Sequence, residues 1–316
     1  MSVVTTNYSA SAATAAVDLE VPAECAGLRL DQVLARLLPD HSRSRLTRWI
    51  REERVSVDGR FTSPDTKMWG GERLRVEPGA TPEALAHRPQ DIPLTVIHED
   101  ATLIVIDKPA GLVVHPGSGN WEGTLLNALL QHAPQLQDVP RAGIVHRLDK
   151  DTSGLLVIAK TITAQTHLVR QLQARTVTRE YSAVVQGRVA RDGKVDVAIG
   201  RHPVSRTRMA VVARGKPAVT HYHVAARYAD ATLLQCRLET GRTHQIRVHL
   251  ASIGHPLIGD PVYGERSGKR ARAFHRQALH ARRLSLVHPE SGAAVSWESP
   301  LPPDMRELIA ALETAA

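Results

Sequence analysis

The sequence predicts an α+β protein, built as a largely antiparallel mixed-sheet domain preceded by a small unit of two helices and a hairpin. Three features carry that expectation. Segments 219–228 and 231–239 read as strands and are joined by a turn far too short for a parallel crossover. Helical spacing is confined to a few stretches, and strands joined by short turns with few helices argue against a doubly wound fold. A proline-rich stretch without periodicity, 77–93, separates a short first unit from a longer second one. The chain therefore divides into a disordered tail (1–22), a first domain (23–80), a semi-rigid linker (81–93) and a second domain (94–316).

Composition narrows the function classes. The 316 residues carry 42% apolar and 23% charged residues, ordinary for a globular protein, but only 3% aromatics, so the core must be Val, Leu, Ile and Ala. The net charge is +8 with a pI near 9.9, and most of the excess is arginine. Arginine's planar fork matches phosphate oxygens, so the excess points to nucleic acid. Cys25 and Cys236 alone give neither a disulfide framework nor zinc spacing. The N-terminus has no basic region followed by an apolar run, and no window approaches an eighteen-residue apolar stretch. The expectation is a cytoplasmic protein with no membrane partner.

The tail is Ser, Thr and Ala with little apolar pattern. Leu28, Leu30, Val33, Leu34, Leu37 and Leu38 then fall at helical spacing, with Asp31 in the first turn and Pro39 ending the run. A second helix starts at Ser42 or Ser44, with Leu46, Trp49 and Ile50 on one side. Arg43 stands at its start and Arg45, Arg48 and Arg51 lie on the other side, with no acidic partner before Glu52 and Glu53. Val55, Val57 and the Asp58-Gly59 pair signal a hairpin.

In the second domain, strands are expected over 94–97 and 103–106, a helix over 125–131, and a helix carrying Ala164, Leu168 and Leu172 that ends near Arg175. The alternating strand 177–185 places Arg179 and Tyr181 on one face. A short helix from about Thr243, a last hairpin and a helix near 305–312 complete the domain.

The stretch 143–161, GIVHRLDKDTSGLLVIAKT, organises this domain. It packs His146, Arg147, Asp149, Lys150, Asp151, Thr152 and Ser153 into a polar turn that runs into the apolar strand 155–159. No phosphate-binding GxxxxGK[ST] or GxGxxG loop follows a strand, no GxSxG elbow exists, and His244 and His249 lack a third ligand, so neither metal nor cofactor is expected. What is left is a carboxylate among cations, Asp149 or Asp151. Such a group suits covalent attack at a sugar or ring carbon better than general-acid work. The residues alone do not choose between the two.

Two resemblances add to this reading. LRLDQVLARLL, SRSRLTRWI and VSVDG resemble the S4 RNA-binding domain, which implies that Arg43, Arg45, Arg48 and Arg51 contact phosphates of structured RNA. KPAGLVVHPG (108–117), HRLDKDTSGLLVIAK (146–160), REY (179–181) and GRTHQIRVHLA (241–251) together resemble the RluA family of pseudouridine synthases. The likeness spans almost all of 94–300, with four motifs in order. It implies that Asp149 is the catalytic nucleophile and Asp151 a turn residue. The same resemblance implies that Arg247 pairs with that carboxylate, that Tyr181 stacks on the target uracil and that Arg147 fills the base stack. Arg242, His244 and His249 read as structural. RMAVV, GKPAVTHY and GHPLIGDPVYG, together with the S4-like unit, resemble the large-subunit branch of the family. That branch implies 23S rRNA or an assembling large ribosomal subunit as partner, with the helix 69 stem-loop as substrate. The alternatives are a C-type enzyme acting at other 23S sites, or a non-catalytic RNA-binding ribosome-assembly factor.

Overall fold

The computed structural model describes residues 15–79, 82–117, 119–206, 208–264 and 274–314. The chain forms two compact units that meet in sequence at Leu85 and Ala86.

The first unit is a four-stranded antiparallel sheet and two helices. Its elements are β1 (Val17–Glu20), α1 (Leu30–Leu37), α2 (Arg43–Arg51), β2 (Val55–Val57), β3 (Arg60–Phe61) and β4 (Arg73–Val76), with strand order β1-β4-β2-β3. The helices' apolar stripes, Leu30, Val33 and Leu34 against Leu46, Trp49 and Ile50, close a core with Val55, Leu74 and Val76. Ser42 caps α2, its Oγ accepting from the Arg45 N–H at 3.4 Å. Asp58 and Gly59 both take positive φ, 48° and 79°, the pair of left-handed residues a two-residue hairpin turn requires.

The expected tail needs correcting. Residues 1–14 lie outside the described residues, but Val17–Glu20 pair with Arg73–Val76 from Val17↔Val76 to Glu20↔Arg73. The strand escaped notice because its partner lies over fifty residues downstream. The linker is also more ordered than expected. It holds a single helical turn, α3 (Pro82–Ala86), and the carbonyls of Ala86 and Arg88 accept from Asn127 Nδ2 at 3.3 and 2.8 Å.

The second unit contains β5 (Thr95–Glu99), β6 (Leu103–Lys108), α4 (Leu125–His132), β7 (Ser153–Ala159), α5 (Ile162–Ala174), β8 (Thr178–Gln186) and β9 (Gly193–Asp196). The hairpin β10 (Ile199–Arg201) and β11 (Met209–Val211) follows, then β12 (Val219–Arg227), β13 (Ala231–Leu238), α6 (Gln245–Ser252), β14 (Leu279–Val287), β15 (Ala294–Glu298) and α7 (Pro303–Glu313). The main sheet runs β5-β6-β7-β14-β8-β13-β12-β9, with β15 against β14. Among the described residues every pairing in it is antiparallel except β14 with β7. The fold is thus the expected α+β arrangement.

The centre of this sheet is covered on both faces. Ile104, Ile106, Leu156 and Ile158 point into the cluster that holds α4 and α6, while Leu103, Val105, Leu155, Val157 and Ala159 point into the one that holds α5. Burial on both sides is why 155–159 reads as an unbroken apolar run rather than an alternating one. Where β7 enters the sheet, Gly154 sits at φ 111°, and a Cβ there would stand 2.3 Å from the Ala281 carbonyl oxygen. Only glycine lets β7 lie beside β14 at that point. No helix of the described residues is long and apolar enough to cross a membrane.

Candidate active site

The polar turn before β7 is fastened from several directions. Lys108, fully buried at the end of β6, donates all its reach to backbone: Nζ bonds the carbonyls of Pro109, Leu112 and Lys150 at 2.7, 2.9 and 2.9 Å. The Gly111 N–H adds a bond to the same Lys150 carbonyl at 3.0 Å. From the far side Arg276 Nη1 donates to the Asp151 carbonyl at 3.1 Å, and Gln277 Nε2 donates to Thr152 Oγ1 at 3.1 Å. The Val157 N–H donates to His146 Nε2 at 3.2 Å, a bond only an unprotonated ring nitrogen accepts. Burial pushes the His146 pKa down to about 3, which keeps it so. The KPAG and HRLDKDTSG motifs therefore form one rigid body, in which Asp151 contributes its backbone.

Above this turn opens a cleft of about 600 Å³, lined among others by Asp149, Arg147, Tyr181, His244 and Arg247. Asp149 Oδ2 accepts from Arg247 Nη1 at 3.0 Å. Arg247, on the first turn of α6, is 4% exposed. Asp260 holds it from behind through Nε to Oδ2 at 2.7 Å and Nη2 to Oδ1 at 2.9 Å. Asp260 Oδ1 accepts further from the Val262 and Tyr263 N–H groups, at 2.9 and 3.0 Å. Burial alone would lower the Arg247 pKa and raise that of Asp260. The hydrogen bonds and charges between them, helped by Asp149 on one side and the two backbone donors on the other, reverse both directions. The guanidinium also lies over the Tyr263 ring, 5.1 Å from its centroid.

Tyr181 sits on β8 between Cys236 of β13 and Ala281 of β14, and burial pushes its hydroxyl up. Arg147 is exposed at the cleft. His244 precedes α6 in the left-handed region at φ 56°. Its Nδ1 lies 2.8 Å from Tyr263 Oη and its Nε2 3.9 Å from Asp149 Oδ1. Burial lowers its pKa, Asp149 opposes that, and Arg247 adds to it. Six arginines line the cleft against two carboxylates, Asp149 and Glu239. Among the described residues no three or more His, Cys, Asp or Glu side chains gather as a metal would require.

The fold thus brings Asp149, Arg147, Tyr181 and Arg247 to one cleft from three separate motifs. Arg242 and His249 are tied to the scaffold, through Pro217 O at 3.2 Å and through Thr220 Oγ1 and Val197 O at 2.9 and 3.0 Å. His244 is tied to Tyr263 Oη through Nδ1 at 2.8 Å, and its Nε2 stands 3.9 Å from Asp149 Oδ1. Asp260 and Tyr263 were missed altogether, although GDPVYG carries the turn chemistry that presents a carboxylate to its own backbone.

The four arginines of the first unit are not equivalent. Arg43 bonds Asp31 of α1 through Nε at 3.0 Å and Nη2 at 2.7 Å, so the expected lack of an acidic partner is corrected. Arg48 pairs with Glu52 at 3.5 Å. Arg45 and Arg51 have no ion pair among the described residues.

The model for the RNA pseudouridylate synthase family matches residues 102–252, and that for the S4 domain matches 28–66. A protein named ribosomal large subunit pseudouridine synthase D in Nitrosomonas europaea is 62% identical over 301 residues, covering 94% of this chain and 88% of the relative. The protein of the same name in Escherichia coli (strain K12) is 54% identical over 294 residues, 90% of each chain. Among solved structures, human RNA pseudouridylate synthase domain containing 4 aligns with a TM-score of 0.56 and 25% identity, over 69% of this chain and 93% of its own. Human RNA pseudouridylate synthase domain containing 1 aligns with a TM-score of 0.53 and 26% identity, over 74% and 97%.

Proposed function

The chain belongs to the RNA pseudouridylate synthase family and is an RNA pseudouridine synthase; from that premise we propose that it acts on the helix 69 stem-loop of 23S rRNA, with Asp149 as the nucleophile. The names of the relatives support the large-subunit rRNA, and the S4 match supports an RNA-binding role for residues 23–80. Acting on ribosomal RNA, the enzyme works in the cytoplasm, on free rRNA or the assembling subunit.

The reaction breaks N1–C1′, forms C5–C1′, removes the proton from C5 and adds one at N1. It is redox-neutral and draws on no nucleotide energy, so the protein's own groups suffice. The observation that carries the reading is the 3.0 Å contact of Arg247 with Oδ2 of Asp149, a residue of the cleft lining, which leaves Oδ1 without a hydrogen bond among the described residues. An oriented carboxylate with one oxygen unspent is what covalent attack on the nucleotide requires. Tyr181, at the wall of the same cleft, offers a ring for the extruded uracil, and Arg147, exposed beside it, reaches the vacated place in the stack.

The test is a map of pseudouridines in 23S rRNA from cells with and without this protein. The helix 69 positions are expected to revert to uridine on its loss. Loss of other 23S sites alone would transfer the enzyme to the C-type specificity, and no loss at all would leave an assembly factor.

A further inference from the structure

Burying a charge without a partner is costly, and among the described residues this protein avoids it at every buried Asp, Lys and Arg but one. Asp31 has Arg29 and Arg43, Lys108 has three carbonyls, and Arg247 and Asp260 have each other. Arg179 is the exception. It is 7% exposed, lines the cleft, and its side chain makes no hydrogen bond or ion pair among the described residues; its Nε is sealed from solvent with no acceptor. The fold makes room for it. Gly241 of the cleft wall carries no side chain where a Cβ would come within 2.7 Å of Arg179 Nη1.

We propose that Arg179 is the binding site for an RNA backbone phosphodiester beside the target uridine, left unpaired in the free protein so that this anion completes it. The inference rests on the reading of Tyr181 as the platform for the uracil. Arg179 precedes Tyr181 by two residues on β8 and shares its face, about 7 Å along an extended strand. That is the span between a nucleobase and its own phosphate. A guanidinium fork matches two phosphate oxygens at once, which a uracil carbonyl cannot offer. The other arginines of the cleft attract any RNA, whereas this one, desolvated in advance, fixes where the target nucleotide's backbone stops.

The experiment uses the full-length protein and a helix 69 stem-loop RNA in which single linkages near the target are replaced by neutral methylphosphonates. With wild-type protein, one linkage next to the target should lower single-turnover kcat/KM and affinity by about 10- to 100-fold. Arg179→Met should cost the same with all-phosphate RNA, the two losses should not add, and Arg179→Lys should fall between. The free Arg179→Met protein should melt no lower than wild type, because an uncompensated charge has gone. A loss in Arg179→Met that is undiminished on every methylphosphonate RNA would assign the guanidinium to the uracil and overturn the proposal. So would wild-type turnover, or a lowered melting temperature. If Arg179→Met fails to fold, the linkage scan with wild type and Arg179→Lys decides, insensitivity at every linkage overturning the inference. Wild-type protein that binds this RNA but leaves its uridines unchanged would defeat the proposed function instead, while linkage-dependent affinity would still decide Arg179.

Discussion

Asp260 grips Arg247 through two parallel hydrogen bonds of 2.7 and 2.9 Å, and both side chains are buried. This fork leaves Nη1 as the one edge of the guanidinium that can reach Asp149. Asp260 is therefore a positioning residue: it sets the direction from which the Asp149 carboxylate is held.

Asp260→Asn keeps the shape but loses the charge and one acceptor. It should destabilise the protein by about 2 to 3 kcal/mol, measured by urea unfolding at neutral pH. The folded-state pKa of Asp260 is depressed, so its contribution is complete above the ordinary carboxylate range and is lost as pH falls through the folded value. The acid limb of the stability curve should accordingly be shallower in Asp260→Asn. An identical limb in both proteins would place the acid sensitivity elsewhere.

Asp149→Asn tests the nucleophile directly. The amide still accepts from Arg247, so the variant should fold and bind RNA with wild-type affinity. It should form no pseudouridine in a single-turnover assay at any enzyme excess. Measurable turnover would remove Asp149 from the covalent step.

What was legible in the sequence was what is local. The Asp58-Gly59 turn, the β12–β13 hairpin and the Leu168 face of α5 are each specified by neighbours within a few residues. The cleft residues were legible only through motifs, because Asp149, Tyr181 and Arg247 are spread over nearly a hundred positions and meet through the sheet. Long-range pairing left no local trace. Nothing in 279–287 shows that this strand lies between β7 and β8, parallel to one and antiparallel to the other. The same holds for the partnership of Asp31 with Arg43, which turns part of an expected RNA face into a helix–helix clamp. His244 reads as structural, and its bond to Tyr263 Oη fits that; its left-handed backbone and the approach of Nε2 to Asp149 have no sequence signature.

That orientation has a pH consequence. Burial keeps the His244 pKa below its ordinary 6.5, so the ring is neutral at physiological pH and leaves the Asp149 charge uncompensated on that side. On acidification the ring gains a proton and an imidazolium faces Asp149 Oδ1 across 3.9 Å, competing with substrate for the carboxylate. The pH profile of kcat/KM should show an acid limb below pH 6.5. His244→Gln, which cannot titrate, should lose that limb while keeping activity at neutral pH within about tenfold. A limb that persists unchanged in the variant would belong to another group.

The first unit separates binding from stability. Arg45 and Arg51 carry no ion pair among the described residues, so the double replacement by Ala should leave the melting temperature unchanged and weaken RNA binding. Each lost phosphate contact should reduce the slope of log affinity against log salt by about one. Arg43→Ala should act the other way, because it strips a partner from buried Asp31, and the guanidinium it removes, though exposed, is already neutralised by that carboxylate. Its cost is about 1 kcal/mol of stability, with Arg29 still in place, and its salt slope should match wild type. Salt-dependent binding titrations of the three proteins on one stem-loop RNA check both expectations. An unchanged slope in the Arg45/Arg51 variant would mean that this helix face meets solvent rather than RNA.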